Sequence, residues 1–266
     1  MTARAFRDLG MLRDDARVLG VGAGHEATIY WLTTKVGRVV ATDLYETEDD
    51  WSETDSSVEM LTEPGKFWDG QWDPDRLEVR NMNALELGFP DDSFDAVFSS
   101  SSIEHFGGFS EIRRSIEEIY RVLRPGGVAA LATEFRIRGS GHGWPGVFLF
   151  DEAALRATVL DGLWWDPATP LETRVSDETL RAPVELQKAL AEPRAQVQVW
   201  SQYPHIVLQE GPYLFTSVHL AMMKSASPTA EWRRRASEFP PGRLPELKER
   251  AKEGLGRLRQ TLARRG

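Results

Sequence analysis

A glycine-rich turn near the start of the chain limits the folds that this sequence can adopt. The sequence there reads Val18-Leu-Gly-Val-Gly-Ala-Gly-His-Glu. Its first residues belong to an apolar segment, Arg17–Val21, that is typical of a buried strand, and the turn follows directly. Glycines at 20, 22 and 24 let the backbone bend sharply and approach a ligand with no side chain between them. A helix is predicted from about Glu26 to Lys35, and its first N–H groups would point at the same space. The run predicts a strand–turn–helix unit around a ligand, although a tight turn alone gives the same pattern.

Strand-like and helix-like segments alternate through the first half of the chain. Further apolar or β-branched runs predict strands, and these are Arg38–Asp43, Leu77–Arg80, Phe94–Ser99 and Val128–Thr133. A helix is predicted over Glu111–Leu123, because isoleucines recur on one face and Arg124-Pro-Gly-Gly stops it. This alternation predicts an α/β fold built on a doubly wound, mostly parallel sheet. Ligands of such sheets bind beyond the carboxyl ends of the strands.

The second half departs from this alternation. A capped helix is predicted over Asp151–Leu160, and the apolar runs Pro204–Gln209 and Tyr213–Met222 predict a hairpin at one edge of the sheet. We expect one domain over residues 1–228, in which two long segments, about 44–76 and 139–203, cap the substrate. Residues 229–266 would form a tail with a C-terminal helix.

Charge is distributed unevenly between the predicted domain and the tail. The 266 residues carry a formal charge of -9, yet residues 229–266 contain 11 Lys or Arg against 5 Asp or Glu. A basic tail can bind phosphates or an anionic membrane, and it can equally pack on its own acidic body. The acidic body argues against nucleic acid as a general partner.

Cysteine is absent from the sequence. Its absence excludes disulfide scaffolds, zinc fingers, iron–sulfur clusters and thiol nucleophiles. No apolar run approaches the roughly 20 residues that cross a bilayer, and the first ten residues lack the apolar stretch of a signal peptide. We therefore expect a cytoplasmic protein without a membrane span, and the sequence leaves open whether it forms a homo-oligomer.

The number of residues between the glycine turn and the next strand-ending acid indicates what the turn binds. Asp43 ends the second predicted strand, 19 residues after Gly24. A carboxylate at that place can accept both hydroxyls of a ribose, so the pair indicates a nucleoside site. An Asp at a strand end is also a common turn former, and that alternative stays open.

Three later motifs occur in a fixed order after this acid. Asn83-Ala84 follows the third strand, Pro90-Asp-Asp-Ser-Phe-Asp-Ala-Val-Phe-Ser leads into the fourth, and Leu123-Arg-Pro-Gly-Gly-Val precedes the fifth. With them the stretch from Arg17 to Glu134 resembles the class I S-adenosylmethionine-dependent methyltransferases. The resemblance implies the Rossmann-like methyltransferase fold and S-adenosyl-L-methionine as the cofactor.

The resemblance also implies a cofactor site. The glycine loop would hold the methionyl part, the second-strand acid the ribose, and the residues after the third strand the adenine. The implied residues are Gly20, Gly22, Ala23, Gly24, Glu26, Asp43, Leu44, Met82, Asn83, Ala84, Ser99 and Ser100. The chain departs from the family at three of them: Gly20 replaces a usual acid, Glu26 a third loop glycine, and Asn83 a frequent Asp. Glu26 is a candidate replacement for the missing partner of the cofactor's ammonium group.

The fourth-strand exit, where the methyl group would emerge, contains the candidate catalytic residues. His105 suits the role of a base for a hydroxyl acceptor, and Glu104 would orient it or act as the base itself. The same two residues would also serve simply to begin a helix. His142 is a second candidate base, and His25 belongs to the cofactor loop. No metal is required, and Asp91-Asp92 is interpreted as a turn.

Tryptophans in the capping segments point to the acceptor. Trp51, Trp68, Trp72 and Trp144 would stack on a sugar or on an aromatic or cationic acceptor, or would pack the loops together. We expect O-methylation of a small-molecule hydroxyl, on a sugar, a glycoconjugate or a secondary metabolite. Two alternatives remain: an NAD(P)-dependent oxidoreductase, since Gly22-x-Gly24 and Asp43 also suit dinucleotides, and a nucleoside-binding module without catalysis.

Overall fold

Five parallel strands form the centre of the fold in the computed structural model, which describes residues 1–46, 57–168, 171–191 and 206–225. The strands are β1 (Arg17–Val21), β2 (Arg38–Asp43), β3 (Leu77–Asn81), β4 (Phe94–Ser100) and β5 (Leu123–Arg138). Their spatial order is β3-β2-β1-β4-β5, so the chain reverses direction across the sheet between β1 and β4. The predicted doubly wound, mostly parallel sheet is confirmed, and the reversal marks where a ligand site is expected.

Shorter and antiparallel strands extend this centre. They are β6 (Gly143–Trp144), β7 (Val147–Phe148), β8 (Trp165–Pro167), β9 (Val184–Glu185), β10 (Leu208–Glu210) and β11 (Tyr213–Lys224). Among the described residues, β11 lies antiparallel beside β5 and carries β8 and β10, while β9 pairs with β10 at the edge. β6 and β7 form a separate two-stranded hairpin. The predicted hairpin thus completes the sheet, as β10 and β11.

Helices cover both faces of the sheet. They are α1 (Thr2–Asp8), α2 (Ala27–Thr33), α3 (Phe109–Val122), α4 (Glu152–Leu155), α5 (Asp177–Leu180) and α6 (Leu186–Ala191). One face packs against α1 and α2 through Phe6, Ile29 and Leu32. The other packs against α3 and α4 through residues that include Ile116 and Leu155. None of the helices in the described segments has the length and apolar content needed to cross a membrane.

Two predicted elements differ from the structure in length or kind. β5 starts at Leu123 and runs 16 residues, because it pairs with Phe94 before a bulge and with β11 along its outer edge. The helix capped by Asp151 continues from α4 as a wider, π-helical turn over Arg156–Leu160. The predicted helical tail lies outside the described residues, so the domain boundary at 228 stays a prediction.

The described part of the first capping segment packs on α2. It contains single 3-10 turns at Val58–Leu61, Pro64–Phe67 and Pro74–Arg76. Tyr30 of α2 stacks on Trp68 with ring centroids 5.7 Å apart and meets Trp72 edge-on at 5.4 Å. These two tryptophans therefore pack loop against helix, which is the second of the two alternatives that the sequence left open. Trp51 lies outside the described residues.

The Asp91-Asp92 pair forms a turn that is held by cations. Asp91 pairs with Arg121 at 2.9 Å and Asp92 with Lys224 at 2.7 Å. The φ of Asp92 is 56°, a left-handed turn conformation.

Candidate functional site

A cavity of about 700 Å³ opens beyond the carboxyl ends of β1, β2 and β4. The described residues that line it come from the glycine loop, the ends of β2 and β3, and the exit of β4. They are Gly22, Ala23, Gly24, His25, Glu26, Asp43, Leu44, Met82, Asn83, Ala84, Leu85, Ser100, Ser101, Ser102, His105 and Phe106. Ten of the twelve cofactor residues expected from the sequence, together with His105, therefore share one cavity.

Two of the twelve do not reach the cavity wall. Gly20 lies within β1, where an added Cβ would come 2.8 Å from the ring of Phe98, so it is a packing glycine. Ser99 is fully buried one residue below the end of β4. Alternate residues of a strand point into the core, and the direct cofactor contact expected of these two residues stays a prediction.

The glycine loop is fixed to β2 by hydrogen bonds. Ala23 N donates to Thr42 O at 3.0 Å, and Tyr45 Oη donates to Gly24 O at 2.6 Å. Gly22 has φ +61°, and an added Cβ would lie 2.7 Å from the Cβ of Ser102. Glycine is thus required at position 22 both by conformation and by the close approach of the β4 exit.

Asp43 connects the glycine loop to the end of β2. Its Oδ2 accepts from Gly24 N at 2.8 Å and its Oδ1 accepts from Leu44 N at 2.8 Å. These bonds hold the side chain in one orientation at the cavity wall.

Glu26 brings a second acid to the cavity wall. It is the residue that precedes the first turn of α2, and Thr28 and Ser100 hydrogen-bond to its carboxyl group. Burial, opposed by these two hydrogen bonds and reinforced by the charge of Asp43, raises the pKa of Glu26 to about 7. A cationic group bound beside it would favour the ionised carboxylate.

The loop after β3 forms the opposite wall. Asn83 Oδ1 accepts from Leu85 N at 2.9 Å, which shapes a tight turn, and Met82 N donates to Asp43 O at 2.8 Å. Leu44 is 46% exposed beside them, an apolar surface suited to a flat ring. The amide oxygen of Asn83 thus shapes the loop, in addition to any contact with an adenine amino group.

Four cavity residues were not predicted to line it from the sequence. Ser101, Ser102 and Phe106 belong to the β4 exit, and Leu85 to the loop after β3. Ser102 Oγ donates to Gly22 O at 2.6 Å, and Ser101 adopts φ 50°. The serine run signals a loop, but only the fold brings it against the glycine turn.

His105 lies in a short 3-10 turn, Ile103–His105, after β4. Its Nδ1 is 2.7 Å from the carbonyl oxygen of Gly146, at the tip of the β6–β7 hairpin. His25 also lines the cavity and stacks on Phe67 at 4.8 Å. His142 stacks on Phe148 of β7 at 4.8 Å and packs edge-on against Phe109, so its ring packs the β6–β7 hairpin against α3.

Glu104 points away from the cavity. It is 1% exposed, and its Oε2 accepts from Thr133 Oγ1 at 2.8 Å. Burial and the neighbouring Glu134 carboxyl group raise the pKa of Glu104 to about 8. The expected catalytic role of Glu104 is corrected to a buried structural one, because the 3-10 turn directs adjacent side chains to different sides.

Comparisons with known proteins agree with this geometry. Residues 19–131 match the family model described as a methyltransferase domain. A Mycolicibacterium smegmatis protein described as a "Probable S-adenosylmethionine-dependent methyltransferase" is 40% identical over 62 residues. That alignment spans 23% of this chain and 23% of the relative, so it covers less than a quarter of either protein.

The family-model match covers less than half of the chain, and it is this segment, residues 19–131, that is similar to methyltransferase domains. The Mycolicibacterium smegmatis relative is described as S-adenosylmethionine-dependent. The matched segment contains the glycine loop, Asp43 and His105.

Solved structures share the fold of this chain. The phosphoethanolamine N-methyltransferase 2 of Haemonchus contortus, solved with S-adenosyl-L-methionine, has a TM-score of 0.51 and 17% identity, over 84% of this chain and 52% of that one. The cyclase SpnF has a TM-score of 0.53 and 20% identity, over 85% of this chain and 80% of that one. Because proteins described as a methyltransferase and as a cyclase share this architecture, the reaction must be argued from the site.

Proposed function

We propose that this protein transfers a methyl group from S-adenosylmethionine to the hydroxyl oxygen of a small molecule. The observation that carries the proposal is the arrangement of the glycine loop, Asp43 and His105 around one cavity. The volume of about 700 Å³ is within the range of small-molecule sites, roughly 300–1,000 Å³.

The residues of the cavity fit this cofactor. The loop at Gly22–Gly24 brings bare backbone to the site, Asp43 suits the ribose diol, and Glu26 suits the ammonium group. Met82, Ala84 and Leu44 offer apolar surface for the adenine. S-Adenosylmethionine would supply a methyl carbon on a positively charged sulfur, and the electron pair of the broken C–S bond would stay with that sulfur.

His105 is the proposed general base. The acceptor oxygen forms the new bond to carbon with its own lone pair, and its proton passes to the imidazole, which then returns it to water. Such a base contributes about 10²–10⁴-fold to a rate. Alignment of the acceptor by the β4 exit and exclusion of water by Phe106 would provide the remainder.

The class of acceptor rests on fewer observations. Trp68 and Trp72 pack on α2, which removes them as support for a sugar, and Trp144 packs on Tyr213 and Phe215. The formal charge of -9 favours a small molecule over nucleic acid. Cytoplasmic location and assembly into a homo-oligomer stay predictions.

The test is incubation of the protein with isotope-labelled methyl donor and small-molecule extracts, followed by mass analysis. We expect a methylated hydroxyl compound, formed more slowly by a factor of about 10² or more when His105 is replaced by Ala. Asp8→Ala, which changes an exposed residue of α1, is the control. Cofactor binding without any methylated product would instead favour a nucleoside-binding module, and an unchanged rate in His105→Ala would remove the base.

A further inference from the structure

We propose that the β6–β7 hairpin positions His105, because the hairpin's tip carbonyl fixes which ring nitrogen carries the proton. The assignment of a tautomer stands on geometry alone. Its use in catalysis rests on the proposed function, in which His105 accepts a proton from the acceptor.

The hairpin has a tight and defined tip. Gly143 pairs with Phe148 and Trp144 with Val147, so Pro145 and Gly146 form a two-residue connection. Gly146 has φ +88°, the value that the third position of a type II turn requires, and proline is common at the position before it. This turn directs the Gly146 carbonyl oxygen to within 2.7 Å of His105 Nδ1.

The chemistry of this contact assigns the proton. A backbone carbonyl oxygen only accepts hydrogen bonds, so Nδ1 must be the donor. A neutral imidazole carries one N–H, and the unprotonated nitrogen is therefore Nε2. Fixing one nitrogen as donor is a known way to make the other a base of defined direction. The hairpin thus specifies Nε2 as the nitrogen that takes the acceptor's proton.

Packing on two sides holds the hairpin in place. Tyr213 Oη lies 3.0 Å from Ser140 O and 2.8 Å from Gly143 O, so its single proton is shared between these two carbonyl oxygens at the base of the hairpin. The Trp144 ring packs on Tyr213 at 5.7 Å. On the other side Phe148 is buried in the main core. These contacts come from β7 and β11, so the sheet itself determines where the Gly146 carbonyl lies.

The direct test is the tautomer of His105, measured by nitrogen-15 NMR on the folded protein at a pH where the ring is neutral. We expect the Nδ1–H form without cofactor or acceptor present. A predominant Nε2–H form in the wild-type protein would overturn the proposal. This readout does not depend on methyl transfer, so its failure is distinguishable from failure of the proposed function.

A matched pair of variants tests the hairpin. Gly146 and Gly141 both have left-handed φ, +88° and +78°, and an added Cβ at either position would have no atom of the described residues within 4 Å. Gly146→Ala should displace the carbonyl, mix the two tautomers and lower kcat about tenfold or more, with the affinity for S-adenosylhomocysteine unchanged. Gly141→Ala should do neither. Equal tautomer populations in the two variants would remove the role of the hairpin.

A substitution of His105 itself separates positioning from proton transfer. In His105→Asn the amide nitrogen lies near the position of Nδ1 and can still donate to Gly146, but no base remains. We expect this variant to keep the stability of the wild-type protein and to lose turnover. The Tyr213→Phe variant should show both tautomers of His105, as Gly146→Ala does. A wild-type tautomer population in Tyr213→Phe would contradict the proposal that the Tyr213 hydroxyl holds the hairpin in place.

Discussion

Binding of the cofactor should be linked to the release of a proton from Glu26. Burial raises the pKa of this carboxyl group to about 7 in the ligand-free protein. The ammonium group of the bound cofactor should stabilise the ionised form, so binding expels the proton. With a pKa of about 7, Glu26 is about 90% protonated at pH 6 and about 50% protonated at pH 7. Binding should therefore release about 0.9 proton per site at pH 6 and about 0.5 at pH 7.

The sign of the pH effect follows from this release. Raising the pH removes the proton before binding, so affinity should increase by about fivefold between pH 6 and pH 7. The assay is titration calorimetry with S-adenosylhomocysteine in buffers of different ionisation enthalpy, which counts the released protons. The Glu26→Gln variant should bind more weakly and release none. A wild-type affinity that does not change over this range, or equal proton release by Glu26→Gln, would refute the reasoning.

Three further perturbations test the remaining structure. Asp95→Ala removes a buried carboxylate that pairs with Arg13 and Arg124 and accepts from Arg17 N. Because both arginines are partly exposed and water can solvate them once the carboxylate is gone, urea unfolding should show a loss of about 1–3 kcal/mol. The loss should be about 0–1 kcal/mol for Asp91→Ala, whose carboxylate is exposed. Because the pKa of Glu104 is about 8 in the folded protein, the wild-type free energy of unfolding should fall by a few kcal/mol between about pH 4.5 and pH 8, at about 1.4 kcal/mol per pH unit. Glu104→Gln should remove this dependence, and a stability curve parallel to that of the wild-type protein would contradict the assignment. Gly22→Ala, which forces a Cβ against Ser102 at a left-handed φ, should lower thermal stability and weaken cofactor binding, and wild-type affinity would show that the loop tolerates it.

The central sheet was predictable because its signals are local. Each parallel strand is an apolar run that ends at a turn or an acid, and the helix between the fourth and fifth strands has its apolar residues on one face. The glycine turn and Asp43 then fixed where the site would lie. The match of Arg17–Val21 and Arg38–Asp43 to the observed β1 and β2 reflects this local character.

The remaining features depend on contacts between distant parts of the chain. The direction of Glu104 is set by Thr133 on β5, 29 residues later, and the length of β5 is set by β11. The Trp68 ring stacks on Tyr30 and does not line the cavity. The hairpin tip at Gly146 reaches His105 across 41 residues. Composition and periodicity do not record such pairings, so the sequence could name these residues but could not assign their partners.

The most direct test of the account is a crystal structure of the protein with S-adenosylhomocysteine. We predict the adenosyl group in the cavity beside the glycine loop, with both ribose hydroxyls within hydrogen-bond distance of the Asp43 carboxylate and the amino group beside Glu26. A ligand bound with its ribose away from Asp43, or no bound ligand at saturating concentration, would contradict the account.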